Sequence, residues 1–285
     1  MAASRQGEGS LDYVQAAVLG VVEGLTEFLP VSSTGHLSIA EKLMGMDIAA
    51  ADVTAYTAVI QMGAIAAVVL YFWRDLWRIA VAWIRGLSGT AHRRTADYRM
   101  GWCVIVGSVP IGIAGLLAKD IISGTLRSLW VVALALVLWS AVMLLAERRG
   151  QQTRKEQDVG LRDAFLVGLT QCVALVPGVS RSGATISAGL LLGLDRVAAT
   201  RLSFFLSIPA LLAAGLYELK DAISGDIGVG PTLVGTLVSF AVAYAAIAWL
   251  LRFVAHHSIG RFVPYRIGLG LVLLVLLGSG TLTGT

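Results

Sequence analysis

Residues 23–36 have the sequence EGLTEFLPVSSTGH, and they interrupt a long apolar segment with polar and chain-breaking residues. The stretch carries two carboxylates, Glu23 and Glu27, together with hydroxyl side chains and an imidazole. Pro30 and Gly35 disfavour a continuous helix through its middle. The fold therefore has to place a polar, irregular segment in apolar surroundings, and the buried acids need partners that offset the cost of burying them.

The composition is that of a polytopic membrane protein. Of 285 residues, 56% are hydrophobic and only 14% are charged, whereas soluble domains carry roughly 25% charged residues. A charged side chain at the centre of a bilayer costs at least about 2.5 kcal/mol, so each acid of the quoted stretch is a candidate functional group. The net charge of +4 does not indicate nucleic-acid binding, because the basic residues stand between apolar segments rather than in one patch.

Six apolar runs of about 20 residues predict membrane-spanning helices. They cover about 53–73, 100–118, 129–146, 201–219, 231–252 and 264–282. Two further apolar segments, 11–50 and 160–199, are each broken near the middle by proline, glycine and serine. Their arms are only about 15–18 residues long, so we expect re-entrant helix hairpins rather than pairs of full spans.

The lysine and arginine content of the connecting segments predicts their sides of the membrane. Segments 74–99, 147–163 and 252–266 are rich in these residues, so we expect them in the cytoplasm. Segments 119–128 and 218–230 carry few of them and are expected outside. The first hairpin then lies on the external side and the second on the cytoplasmic side.

The two halves of the chain, 11–147 and 160–285, each contain one hairpin followed by three spans, in opposite orientations. Their motifs also align at an offset of 148 residues. The matched pairs are Gly20 and Gly168, Glu23 and Gln171, Val31 and Val179, Ser32 and Ser180, and Gly35 and Gly183. We therefore predict one all-α polytopic membrane domain, 1–285, built as an inverted-topology repeat, whose site lies near the midplane between broken helices.

Glu23 and Glu27 are four residues apart and would share one face of a helix. Two carboxylates in that position repel each other unless one is protonated or a cation lies between them. Oxygen ligands suit a divalent cation such as Mg²⁺ or Ca²⁺, so the pair is a candidate metal site. The alternative is a pair of acids that face water in the external headgroup region.

The loop from Pro30 to His36 leads into a second helical arm, whose N-terminal N–H groups favour anions. Ser32 and Ser33 offer hydroxyl groups there, and His36 is close enough to Ser33 to meet it in a turn. The alternative is that the hydroxyls only cap the helix and that the imidazole packs at an interface.

The second hairpin carries a matching loop, SRSGAT at 180–185, which also opens a helical arm. Arg181 in this loop is the only lysine or arginine predicted at membrane depth, and its guanidinium fork suits phosphate oxygens. A structural ion pair with Glu23 or Glu27 is the alternative for Arg181. Gln61, inside the first span, is either an interhelical hydrogen-bonding group or part of the same site.

At these residues the sequence resembles the bacterial undecaprenyl-diphosphate phosphatase family of the bacitracin-resistance type. The resemblance rests on GVVEGLTEFLPVSSTGH at 20–36 and PGVSRSGAT at 177–185, with weaker support from VIQMG at 59–63 and SIP at 207–209. It implies a multi-pass enzyme of the bacterial plasma (inner) membrane that removes one phosphate from undecaprenyl diphosphate and returns the lipid carrier to peptidoglycan synthesis. It also implies a divalent cation, a site open to the external or periplasmic side, and bacitracin resistance.

The resemblance also implies roles for individual residues. Its acidic pair corresponds to Glu23 and Glu27, its proposed nucleophile to Ser33 and its phosphate-binding arginine to Arg181. In the expected reaction His36 takes the proton of Ser33, which attacks the terminal phosphorus. Ser32 and water are the alternative nucleophiles. The remaining hydroxyls that we expect to bind phosphate are Ser32, Ser180, Ser182 and Thr185.

Inverted repeats with a midplane anion site also occur in secondary transporters, so a carrier or flippase for a phosphate-bearing lipid or anion is the alternative function. The grouping of Ser33, His36 and Arg181 with paired acids is more than a carrier needs and favours hydrolysis. The expected partners are the lipid substrate and membrane lipids, without nucleic acid, and the sequence predicts no oligomeric state.

Overall fold

The computed structural model describes residues 11–48, 50–89, 93–118, 126, 128–224 and 228–284. In these ranges the chain is helical, with one isolated bridge between Arg154 and Leu194 and no β-sheet. The α-helices are α1 (Tyr13–Thr26), α2 (Ser33–Leu43), α3 (Ala51–Tyr71), α4 (Trp73–Ser88), α5 (Ala96–Leu117), α6 (Leu129–Arg149), α7 (Leu161–Gln171), α8 (Arg181–Leu191), α9 (Arg196–Ser224), α10 (Val229–His256) and α11 (Val263–Gly278). The predicted all-α class is confirmed.

Six helical segments of the described chain are long and apolar enough to cross a membrane. Five belong to α3, α5, α6, α9 and α10, and the sixth, Ile259–Gly278, contains α11. Each has at least 20 residues, and 20 residues at about 1.5 Å each match a hydrocarbon core of about 30 Å. The predicted multi-pass class with six spans is confirmed. Lys119 and Arg127, on which one external connection depends, lie outside the described residues.

The basic segment 74–99 was expected to connect two spans as a loop, but most of it forms α4. This helix is amphipathic: Ile79 is buried against the bundle and Trp77 is exposed, while Arg78 pairs with Asp97 at 2.9 Å. The number of basic residues predicts on which side of the membrane this segment lies, but it does not predict the helix. The helix is predicted by the helical spacing of the apolar residues between the arginines.

Two helix pairs, α1 with α2 and α7 with α8, form hairpins where the broken segments predict them. The four helices have 14, 11, 11 and 11 residues. At about 1.5 Å per residue none is longer than about 21 Å, so none crosses the bilayer core alone. This length favours re-entrant hairpins, whose depth in the membrane stays a prediction, as does the division into two inverted repeats.

Each hairpin packs against a long helix from the other half of the chain, α1 against α10 and α7 against α5. Gly20 permits the first contact, because a Cβ atom there would lie 2.4 Å from the carbonyl oxygen of Gly235. Gly168 permits the second, because its Cβ would lie 2.0 Å from the carbonyl oxygen of Gly107. Gly20 and Gly168 form one of the matched sequence pairs, and the same need for close backbone contact explains both.

Arg266 contradicts the expectation that Arg181 is the only basic residue at membrane depth. The sequence places Arg266 in the cytoplasmic segment 252–266, but its side chain is fully buried within the apolar segment Ile259–Gly278. It can lie there because it faces the loops of the hairpins, and their carbonyl groups supply the hydrogen bonds that a buried guanidinium requires.

Candidate active site

Each hairpin starts its second helix at a serine with an unusual backbone conformation. Ser32 and Ser180 are the N-cap residues of α2 and α8, with φ angles of 80° and 76°. A positive φ costs a residue with a side chain roughly 1–2 kcal/mol, and such strain is typical of sites that must orient backbone groups. Ser32 Oγ accepts a hydrogen bond from Gly35 N at 3.3 Å, and Ser180 Oγ accepts one from Gly183 N at 3.2 Å. The two loops thus share their geometry as well as their sequence.

The two loops also contact each other directly. Gly178 N donates a hydrogen bond to Ser32 Oγ at 3.1 Å, and Ser182 Oγ donates one to the carbonyl oxygen of Leu29 at 2.8 Å. Ser180 Oγ and Ser182 Oγ are 3.1 Å apart. The loops therefore form one hydrogen-bonded unit to which both hairpins contribute.

Ser182 and Thr185, two of the hydroxyls expected to bind phosphate, are fully buried and bonded within the protein. Thr185 Oγ1 donates to the carbonyl oxygen of Arg181 at 2.8 Å and lies 2.6 Å from Ser203 Oγ. Neither Ser182 nor Thr185 belongs to the wall of the cavity beside the loops. Their positions support a role in fixing the loop and Arg181 rather than in touching a ligand.

Arg266 of α11 holds both loops from the other side. Its Nη1 donates to the carbonyl oxygen of Pro30 at 3.0 Å, and its Nη2 donates to those of Gly178 and Val179 at 2.9 and 3.1 Å. Its Nε donates to Ser140 Oγ, in the middle of α6, at 3.2 Å. One side chain thus fixes the first loop, the second loop and a spanning helix relative to one another.

A cavity of about 180 Å³ lies where the loops meet. Its wall combines polar groups of both loops with two amide side chains and with apolar residues of α5, α9 and the turn after α7. The polar groups belong to Glu27, Ser32, Ser33, Thr34, Ser180 and Arg181, the amides to Gln61 and Gln171, and the apolar part includes Ile111, Ala174, Leu175, Val176, Ala210, Leu211 and Ala214. This combination suits a ligand with a charged head and an apolar body. It also places Gln61 in the site, one of its two sequence interpretations.

Glu27 is the centre of the polar part of the cavity. Ser33 Oγ donates a hydrogen bond of 2.5 Å to Glu27 Oε2, which places the carboxylate where it can take the proton of this hydroxyl. Arg181 Nη2 donates to Glu27 Oε1 at 3.1 Å, so the ion pair considered as an alternative is present. The guanidinium keeps further capacity, because its Nε and Nη1 are buried without a hydrogen-bond partner in the described structure. These N–H groups can bind an anion in the cavity.

Glu23 lies one helical turn before Glu27 and is fully buried, and neither of its carboxylate oxygens has a hydrogen-bond partner among the described residues. A buried carboxylate without partners is unfavourable, so Glu23 is a candidate for binding a cation. No group of three or more His, Cys, Asp or Glu side chains in the described ranges could hold a metal, so such a cation needs further oxygen ligands from a substrate or from water.

His36 does not make the hydrogen bond to Ser33 that their spacing predicts. Its Nδ1 is 2.7 Å from the carbonyl oxygen of Ser32, and its Nε2 is 2.6 Å from the hydroxyl of Tyr265. Because a carbonyl oxygen only accepts, Nδ1 carries a proton, and in the neutral imidazole Nε2 then accepts from the tyrosine hydroxyl. The two rings also stack, with centroids 5.6 Å apart. The imidazole therefore supports the loop, and Glu27 is the acceptor that contacts the Ser33 hydroxyl.

Sequence reasoning missed three residues that belong to this region. Arg266 and Tyr265 bind the loops from α11, and Gln171 contributes a buried amide to the cavity wall. A signal existed only for Gln171, which is the match of Glu23 in the second hairpin. Arg266 and Tyr265 lie between a basic connection and an apolar run. Many residues at the end of a span share that position, so the sequence does not distinguish these two.

Known proteins of one family resemble the sequence over nearly its full length. The sequence matches the family described as "Bacitracin resistance protein BacA" over residues 16–272. It is 58% identical over 270 residues to undecaprenyl-diphosphatase 1 of Streptomyces avermitilis, covering 94% of this chain and 98% of that protein. It is 55% identical over 278 residues to undecaprenyl-diphosphatase 3 of Frankia casuarinae, covering 96% of this chain and 100% of that protein. For the undecaprenyl-diphosphatase of Cutibacterium acnes the identity is 52% over 283 residues, with coverage of 96% and 100%. Because the match runs from the first hairpin into the last spanning segment, the chain belongs to the bacitracin resistance protein BacA family.

Proposed function

We propose that this protein is a membrane phosphatase that hydrolyses undecaprenyl diphosphate to undecaprenyl phosphate and inorganic phosphate. The observation that supports it best is the contact of Ser33 and Arg181 with Glu27 in a cavity that continues along an apolar wall. A lipid diphosphate has the same two parts, a charged head and an isoprenoid body. The undecaprenyl-diphosphatases that resemble the chain over nearly its full length support the same activity. The product is the lipid carrier that peptidoglycan synthesis reuses, and its supply accounts for resistance to bacitracin.

Ser33 is the nucleophile of the proposed reaction and Glu27 its base. Glu27 Oε2 takes the proton of Ser33 Oγ, and this oxygen forms a bond to the terminal phosphorus. The bond from that phosphorus to the bridging oxygen breaks, and undecaprenyl phosphate leaves with the electron pair. Water then attacks the phosphoserine, which releases inorganic phosphate and restores the hydroxyl. This assignment replaces His36 as the base, because the His36 ring is bonded to Ser32 and Tyr265.

Arg181 and the helix N-termini bind the phosphate in this proposal. The buried Nε and Nη1 of Arg181 lack partners in the described structure and can donate to the oxygens of the terminal phosphate. The N-termini of α2 and α8, held by the caps at Ser32 and Ser180, add backbone N–H groups and favourable dipoles. These donors stabilise the charge that develops as the phosphoryl group is transferred.

We further propose that Glu23 and Glu27 hold a divalent cation, Mg²⁺ or Ca²⁺, together with oxygens of the diphosphate. Glu23 fits this role because both of its oxygens lack partners in the described chain. Glu27 lies one helical turn away, and its oxygens would be shared between the cation and the contacts with Ser33 and Arg181. Mg²⁺ commonly takes one or two protein carboxylates and completes its shell with substrate phosphates and water. The cation, when bound, neutralises charge on the diphosphate.

The site opens to the external side of the plasma membrane in this proposal. The apolar wall includes Ile111 in the second half of α5 and Ala214 in the second half of α9. α5 begins at the basic segment 74–99 and α9 follows the hairpin 160–199, both predicted on the cytoplasmic side, so these halves lead towards the external surface. A lipid diphosphate can then keep its tail among the membrane lipids while its head enters the cavity.

Phosphate release from undecaprenyl diphosphate by detergent-purified protein tests the proposed function. We expect release by the wild-type protein without any membrane gradient and none by Ser33→Ala. A protein that binds the lipid but releases no phosphate would support a carrier instead. Full activity of Ser33→Ala would replace the covalent intermediate by direct attack of water.

A further inference from the structure

Gln171 is a buried polar residue to which the proposed reaction gives no task. It ends α7, its side chain is fully buried, and it belongs to the wall of the same cavity as Ser33 and Arg181. Neither its Nε2 nor its Oε1 has a hydrogen-bond partner in the described part of the chain. Buried amide groups of native proteins are almost always paired, so an unpaired one at a cavity indicates a ligand.

The position of Gln171 in the sequence favours a phosphate as the ligand of this amide. It matches Glu23 at the offset of 148 residues, and at the same offset Leu175 matches Glu27. The first hairpin thus supplies two acids, and the second supplies an amide and an apolar side chain at the corresponding places. A carboxylate repels a phosphate, whereas an amide donates hydrogen bonds to it and stays neutral at every pH.

The cavity wall has a charged part, a neutral amide and an apolar part. A lipid diphosphate likewise has a terminal phosphate, a lipid-side phosphate and an apolar tail. Ser33, Glu27 and Arg181 form the charged part, where the terminal phosphate reacts in the proposed mechanism. Gln171 precedes the apolar turn residues Ala174 and Leu175, so it stands beside the apolar part of the wall. A neutral donor in that place suits the second phosphate, which is esterified to the lipid and stays with it.

We propose that Gln171 binds the lipid-side phosphate of the substrate and makes the enzyme selective for diphosphates over monophosphates. The inference rests on the proposed phosphatase function. When the bridging bond breaks, negative charge develops on the lipid-side phosphate, and the Gln171 N–H groups stabilise it there. Loss of one such donor typically lowers turnover by about 10²–10³-fold.

Gln171→Met tests the proposal, because methionine keeps the length of the side chain and removes its hydrogen-bonding groups. Phosphate release is measured with farnesyl diphosphate and farnesyl phosphate in detergent. We expect kcat/KM for the diphosphate to fall about 10²-fold with little change for the monophosphate. The melting temperature of the ligand-free variant should stay the same or rise, because an unpaired buried amide is removed. Ser187→Ala is the matched control, since its buried hydroxyl also lacks a partner in the described structure but is not part of the cavity wall.

A ligand that cannot be hydrolysed separates this proposal from the proposed function. Farnesyl methylenediphosphonate should raise the melting temperature of the wild type more than farnesyl phosphonate does, and Gln171→Met should abolish that difference. The proposal is overturned if Gln171→Met keeps the wild-type preference in binding and in turnover, or if both substrates lose activity equally. A wild-type protein that binds the diphosphonate selectively but releases no phosphate would overturn the phosphatase function and leave the role of Gln171 in binding intact.

Discussion

Replacing Arg266 with methionine removes the guanidinium that joins the two loops and leaves a shorter, apolar side chain. Three backbone carbonyl oxygens and one hydroxyl lose their donor in this variant. A buried acceptor left without its donor costs about 1–3 kcal/mol, so the loss of these hydrogen bonds costs several kcal/mol in all. For a chain of this size roughly 2–4 °C of melting temperature correspond to 1 kcal/mol, so we expect the melting temperature to fall by on the order of 10 °C.

The same variant should lose activity for a geometric reason. Pro30 and Gly178, which Arg266 binds, are each three residues before a reacting side chain, Ser33 or Arg181. A displacement of about 1 Å between reacting groups costs about 10²-fold in rate. We expect kcat to fall by about two orders of magnitude while KM changes much less. Tryptophan fluorescence in detergent gives the melting temperature, and phosphate release well below it gives kcat and KM.

Arg201→Met provides the control for Arg266→Met. Arg201 of α9 pairs with Asp75 and Glu156, away from the hairpin loops, so its loss should lower the melting temperature without lowering kcat. Folded Arg266→Met protein with the kcat of the wild type would refute the positioning role. An equal loss of kcat in Arg201→Met would show that activity follows stability rather than loop geometry.

Three further predictions concern charge at the site and at its edge. Arg181→Lys keeps the positive charge beside Glu27 but loses the guanidinium fork, so kcat/KM for phosphate release should fall at least about 10²-fold. Wild-type kinetics in this variant would contradict the role of Arg181 in binding phosphate. Removal of divalent cations by EDTA should abolish phosphate release, and added Mg²⁺ should restore it. The Glu23→Gln variant should require a higher Mg²⁺ concentration than the wild type. Activity that persists in EDTA would exclude the proposed cation. Burial of Asp163 opposes its ionisation, but hydrogen bonds from Arg154 and a backbone N–H outweigh this and lower the pKa of Asp163. A lowered pKa stabilises the fold above about pH 3.9, the ordinary value, and this stability is lost as the pH falls through the folded value. Asp163→Asn should therefore melt below the wild type at pH 7, and the difference should shrink as the pH falls below about 3.9; a difference that does not depend on pH would contradict the ionic origin.

Features encoded by a continuous piece of chain were predictable from the sequence. Runs of about 20 apolar residues predicted the six spans, because the length of a span is set by the thickness of the bilayer. The paired motifs predicted two similar loops, and Ser32 and Ser180 indeed share a positive φ and the same capping hydrogen bond. Arg181 was expected near the acids, since a buried guanidinium requires an anion, and it contacts Glu27.

Contacts that depend on the path of a loop were not predictable in this way. Ser33 is near enough in sequence to both Glu27 and His36 for a hydrogen bond, and only the course of the loop decides that Glu27 receives it. Arg266 is more than 80 residues from either loop along the chain, so its partners follow from how the helices pack and not from local spacing. An unpaired buried amide such as that of Gln171 cannot be recognised before the structure shows which partners it lacks.

Because each half of the chain supplies the packing partner of the other half's hairpin, the active site can form only after both halves have been made. The ribosome makes α1 and α2 before α10, against which α1 packs, and before Arg266, which holds the first loop. Until they insert, the strained loop and its buried acids lack the contacts that fix them. A nascent chain that ends before Arg266 should therefore be inactive and open to membrane proteases, so that only chains translated past Arg266 reach the catalytic state.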